Sequence, residues 1–129
     1  MKLKTLLIIK AIVCLCLGVP IVIAPNLLYS VFGATLAAGG VFAAREYGAS
    51  LIGNLILTWF ARNSQESDAR WAMILALCVY DAIGVVVTLM ALVSGAVNLL
   101  AWLVVAVYLF FALAFGYFLF PGKNVLQGK

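Results

Sequence analysis

Long apolar blocks alternate along the chain with a few short polar clusters. Four blocks, at about 5–24, 42–61, 71–94 and 99–120, are each about 20 residues or more, long enough to cross a hydrocarbon core of about 30 Å at about 1.5 Å per residue. Between the first two, Pro25-Asn26 reads as a helix start. Leu27, Leu28, Val31 and Phe32 then make an apolar face that stops at Gly33. This piece is too short and too broken by Gly39-Gly40 to span, so it predicts a short helix lying on or dipping into the outer interface. Residues 63–69, Asn-Ser-Gln-Glu-Ser-Asp-Ala, form the most polar run and read as a loop, and Gly95 to Asn98 reads as a very short outer turn.

The pattern predicts an all-α fold: an integral membrane four-helix bundle with a short interfacial helix between the first and second spans, as one transmembrane domain over residues 1–129. Composition agrees. With 67% hydrophobic and 9% charged residues, there is too little polar surface to clothe a soluble globule of this size. The start, Met1-Lys2-Leu3-Lys4 followed by an apolar run, resembles a secretory signal. Pro25 directly after Ala24 is a poor residue at a cleavage site, so the segment is expected to be a retained anchor.

The net charge of +4 bears on topology rather than on nucleic acid. Lys2, Lys4, Arg62, Arg70, Lys123 and Lys129 fall at the N-terminus, in the second loop and at the C-terminus, while the first and third connections have no Lys or Arg. Both termini are therefore expected on the cytoplasmic side of a bacterial inner membrane, as an even number of spans requires.

The apolar blocks are interrupted by a small set of polar residues. Asp81 lies ten residues beyond Trp71, about 15 Å deep and near the midplane. A lone ionised carboxylate there costs roughly 2.5 kcal/mol or more, so Asp81 is expected to face the bundle interior, pair with a partner or stay protonated. Tyr108 falls at a similar depth and is placed to donate to it, and Lys10 and Arg45 are candidate counter-cations. Glu46, Ser50 and Asn54 stack at i, i+4 and i+8 into a polar stripe expected to face protein. The candidate ligand-binding or proton-linked residues are thus Asp81, Glu46, Arg45, Asn54, Tyr108 and Lys10. Ala112 and Gly116 form a small-xxx-small pair suited to a helix contact, and Trp59, Trp71 and Trp102 lie near span ends as interface anchors.

Histidine is absent, which removes the usual haem ligand and proton shuttle. Cys14, Cys16 and Cys78 lack CxxC spacing and read as packing residues. Neither a nucleophilic triad nor a phosphate loop nor a metal-ligand cluster is present, so no catalytic residue, metal or cofactor is assigned, and the protein is expected not to be an enzyme.

Pro25 with Leu28, Phe32 and Gly33, then Ala44-Arg45, Gly48-Ala49, Gly53, Trp59 and Ala61-Arg62, resemble the small bacterial four-helix membrane proteins related to the DoxX-like group. Asn98 with Trp102, and Phe115-Gly116-Tyr117-Phe118, look like that group's last helix. The resemblance implies a four-helix bundle in the cytoplasmic membrane and, in the DoxX case, association with a quinone-linked oxidoreductase. It gives no role to Asp81. Two main functional readings stay open. One is a non-enzymatic accessory subunit that binds lipid or quinone, with membrane lipids, a membrane protein or a second copy as partners and no nucleic acid. The other is a proton-coupled small-solute transporter or channel working as a homo-oligomer. A thiol-dependent membrane enzyme using Cys14 or Cys78 is a third.

Overall fold

The computed structural model describes residues 1–127, with side chains through residue 120. Among the described residues it has five helices and no strand: α1 (Leu3–Ile23), α2 (Pro25–Val31), α3 (Ala38–Ala61), α4 (Asp68–Val93) and α5 (Ala101–Gln127). Three of them, α1, α4 and the Ala101–Phe120 part of α5, are long and apolar enough to cross a membrane. The chain is therefore a multi-pass membrane protein. Helix α3, with 24 residues, is as long as these but less apolar, because it carries Arg45, Glu46, Ser50, Asn54 and Thr58. Helix α5 does not stop at Pro121, where the sequence suggested an end. Proline there forfeits one backbone hydrogen bond, a loss that a long helix tolerates.

The helices form two compact units, residues 1–63 with 96–98 and residues 64–95 with 99–127. In the first, α1 packs against α3 through an interior stripe of Leu7, Ala11, Cys14, Gly18 and Ile21, spaced three or four apart, facing Ala44, Gly48 and Leu51. The closest approach is at Gly18 and Gly48. A Cβ at Gly48 would lie 2.8 Å from Val22 Cγ2 and 3.0 Å from the Gly18 carbonyl oxygen, so the helices meet almost backbone to backbone. Thr58 is fully buried in this unit, and its hydroxyl donates to the Asn54 carbonyl at 2.7 Å.

In the second unit, α4 packs against α5. The aromatic ring of Tyr108 lies in the space that Gly84 leaves open, where a Cβ would come within 2.5 Å of two ring carbons. Two turns toward the start of α4, Cys78 Sγ donates to the Ala112 carbonyl at 3.3 Å and lies 3.7 Å from the Cβ position of Gly116. The Ala112/Gly116 pair thus receives Cys78. Ser67 caps α4 by accepting from the Arg70 N–H at 3.2 Å, and the Arg70 guanidinium donates to the Ser64 carbonyl at 2.8 Å, which ties the polar loop to the helix it starts.

The outer surface of these helices is apolar. Val79, Ile83, Val86, Val87 and Met90 on α4, and Leu103, Phe110 and Leu113 on α5, are all exposed. Faces this continuous and this apolar suit hydrocarbon rather than water.

Replacing Gly84 with alanine drives a methyl group into the Tyr108 ring and is expected to destabilise the α4–α5 pair by about 1–3 kcal/mol. Gly53→Ala, with nothing within 4 Å of its Cβ position, is expected to be neutral or slightly stabilising. Unfolding midpoints of the two variants in the same detergent micelles check the contrast. Equal midpoints would show that the Tyr108 ring moves aside at no cost.

Candidate functional site

The polar residues singled out by the sequence divide between the two units. Lys10, Arg45, Glu46 and Asn54 belong to the first, and Asp81 and Tyr108 to the second.

Within the first unit, the antiparallel contact of Gly18 with Gly48 sets the depth of every other residue. Lys10 stands eight residues before Gly18, at the level of residue 56 on α3 and about one turn or less from the level of Asn54. Lys10 is almost wholly buried and engaged by other groups, whereas Asn54 is half-buried. Arg45 and Glu46 lie about 15 Å away along the helices, near the end of α1, so this unit does not bring them to Lys10.

Arg45 has a structural partner there. Its Nε donates to the Val22 carbonyl at 3.2 Å. Val22 is the next-to-last residue of α1, so this carbonyl has no intrahelical donor, and a cation beside it also opposes the negative end of the helix dipole. Glu46 and Ser50 are exposed, and the Ser50 hydroxyl donates to the Glu46 carbonyl at 3.2 Å. The chain therefore leaves uncovered two of the three stripe residues that were expected to face protein. Depth supplies the reason. Glu46 lies level with Pro20, about 5 Å short of the end of α1, close enough to the end to keep its carboxylate near water.

In the second unit Asp81 is 0% exposed in the middle of the apolar helix α4. The helix faces around it are built from Ile74, Leu77, Cys78 and Gly84. The Tyr108 ring packs on Gly84 and meets Tyr80 edge to face, with centroids 6.3 Å apart, so α5 delivers an aromatic residue to the turn of α4 that contains Asp81. Asp81, Tyr80 and Tyr108 all have interaction partners. One turn further on, the Thr88 hydroxyl donates to the Gly84 carbonyl at 2.7 Å.

Two features escaped the sequence reading. The first is the locking of α2. Gly33, with φ +74°, ends the helix in a Schellman motif, in which the Ala34 N–H donates to Tyr29 O and the Gly33 N–H to Ser30 O, both at 3.0 Å. The next two carbonyls are met from far along the chain: Asn98 Nδ2 donates to Val31 O at 3.0 Å and its backbone N–H to Phe32 O at 2.7 Å. The only advance sign was an Asn in a short turn. The second is a groove between α1 and α3 of about 340 Å³, lined by Ala11, Ile12, Leu15, Leu55, Ile56, Trp59 and Phe60 and almost devoid of polar surface. Periodicity identifies these as apolar positions without showing that they flank a hollow.

Cys14, Cys16 and Cys78 form no disulfide. Among the described residues, no group of three His, Cys, Asp or Glu side chains converges as a metal site would need. No family model, characterised protein or solved structure matches the chain.

Asn98→Ala removes one donor and leaves the Val31 carbonyl exposed to competition from water. It is expected to cost about 1 kcal/mol and to raise amide hydrogen exchange selectively in α2. Unchanged exchange there would show that the backbone bond alone holds the helix. Burial pushes the Tyr29 phenol above its ordinary value. The folded state then keeps a proton that the unfolded chain gives up at about pH 10, so stability falls as pH rises above that point. A Tyr29→Phe variant should lose that alkaline component, which a comparison of unfolding midpoints at rising pH will reveal.

Proposed function

We propose that the chain is a four-span protein of the bacterial cytoplasmic membrane, a non-enzymatic accessory subunit that accommodates a lipid or quinone against its helices. In this reading α1, α3, α4 and α5 are the spans, both termini are cytoplasmic, and α2 lies at the outer interface. Support for a spanning α3 comes from its packing along α1: at 24 residues it is about 36 Å long, and a helix paired with a spanning neighbour through Gly18 and Gly48 shares its depth. The clustering of Lys and Arg at alternate connections supports the orientation. The DoxX-like resemblance is consistent with an accessory role beside a quinone-linked oxidoreductase.

The observation that carries the functional reading is the contrast between the open and closed surfaces. The groove that the first unit presents is apolar, while Lys10 and Asp81, the ionisable side chains deepest in their helices, are buried at 3% and 0% exposure. A polar solute needs polar groups facing an open cavity, whereas a lipid tail or isoprenoid chain needs this groove. The buried polar side chains then serve to fix how otherwise featureless apolar helices pack.

Gentle extraction from the native membrane followed by mass spectrometry tests the proposal, with copurified lipid, quinone or a stoichiometric membrane partner as the expected result. A bare monomer would remove its support. The full burial of Asp81 in a spanning helix favours the proton-coupled alternative as a second reading. Asp81→Asn discriminates the two. Under the accessory reading it leaves copurification intact, at a stability cost of about 1–3 kcal/mol. Loss of solute flux in proteoliposomes with folding retained would establish the transporter instead.

A further inference from the structure

The groove between α1 and α3 has a chemical polarity along its length. On α1 its wall is Ile12 and Leu15, and Lys4 and Ile8 continue the same stripe toward the helix start, at spacings of three and four residues. On α3 the opposite wall is Leu55 and Trp59, and the stripe continues at the same spacing to Arg62. Because the helices run antiparallel, both walls end in a cation at the same end. The Arg62 guanidinium lies 3.7 Å from the centre of the Trp59 ring, so this cation stands directly at the rim of the hollow.

One further observation fits an anion at that end. No side chain caps the first turn of α1 and no acid lies in it, so its outward N–H groups add positive potential beside Lys4. Within the first unit the only acid is Glu46, sixteen residues before Arg62 and about 24 Å away at the other end of α3, while in the loop that follows Arg62 the next acids along the chain are Glu66 and Asp68, four and six residues on. The groove therefore joins an apolar trough, flanked by exposed Ile12, Leu15, Ile56 and Phe60, to an end that carries Lys4 and Arg62.

We propose that this groove is a binding site for one anionic phospholipid, with an acyl chain against Ile12, Leu15, Ile56, Trp59 and Phe60 and the headgroup phosphate between Lys4 and Arg62. The proposal rests on the membrane reading above and names the lipid class that the reading leaves open. A zwitterionic lipid offers the same chains but carries its own cation at the headgroup, which opposes Lys4 and Arg62. An uncharged quinone fills the trough and leaves both cations without a counter-ion.

Trp59 reports on the site directly. In the full-length Trp71→Phe/Trp102→Phe protein, Trp59 is the sole tryptophan, and its emission can be quenched by acyl-brominated lipid in phosphatidylcholine bilayers. Brominated phosphatidylglycerol is expected to quench several-fold more effectively per mole fraction than brominated phosphatidylcholine. Lys4→Gln and Arg62→Gln should each weaken that preference about fivefold, and high salt should reduce it. Equal quenching by the two lipids, or a preference unchanged in the Lys4→Gln/Arg62→Gln protein with wild-type helix content, overturns the lipid site and leaves the membrane reading standing. Absence of quenching by either lipid would place Trp59 away from acyl chains and overturn both.

Discussion

Hydrocarbon offers no hydrogen-bond partners, so every polar group on a spanning helix must be covered by protein, bonded to backbone or carried to the boundary. The polar side chains of this chain sort by that rule. Thr58 and Thr88 donate to carbonyls of their own helices, and Cys78 donates to a carbonyl of the neighbouring one. Lys10 and Asp81 are buried. Arg45 finds the Val22 carbonyl at the end of α1, and Glu46, which nothing covers, stands near that same end. Within the first unit, the exposed Arg45 and Glu46 thus lie level with the last turn of α1.

Apolar burial holds such helices together only weakly, since lipid tails are as apolar as leucine, and close packing has to take its place. Each unit provides it with a glycine. Gly48 brings α3 onto the backbone of α1, and Gly84 accepts the ring of Tyr108 from α5. The two contacts differ in kind. Backbone against backbone at Gly18 and Gly48 brings the walls of α1 and α3 together at one end of their length. Toward the other end, Trp59 and Phe60 stand beside Ala11 and Ile12, and the hollow opens there.

The helices themselves were legible because apolar runs of this length have few other solutions, and the break at Gly33 and the polar loop at 63–69 mark their ends. Asp81 was legible as a buried residue because a carboxylate in such a run has nowhere else to go. The partners were not. Glu46, Ser50 and Asn54 share a face by periodicity, yet whether that face is covered depends on depth, which the register of Gly18 against Gly48 sets and sequence spacing alone does not. Arg45 was read as a candidate counter-ion for Asp81, and the partner that its own unit gives it is an unsatisfied carbonyl at a helix end. Asn98 shows the same limit over a longer range. Its role depends on a helix end sixty-seven positions away in the chain, which no local pattern encodes.

The cations of the first unit make the strongest distinction between structure and function. Lys10 is enclosed, and Arg45 gives its Nε–H to the Val22 carbonyl, an acceptor that α1 cannot satisfy. Arg62 leans on Trp59 and reaches the Trp59 carbonyl with one nitrogen, while its remaining donors and the exposed Lys4 are left to whatever lies outside the protein. A guanidinium has five N–H donors, and one backbone bond leaves most of them available. In a membrane the abundant partner for such donors is phosphate. The same end of the first unit thus combines an apolar hollow with unspent hydrogen-bond donors, the pairing of chemistries that an amphiphile with a charged head requires.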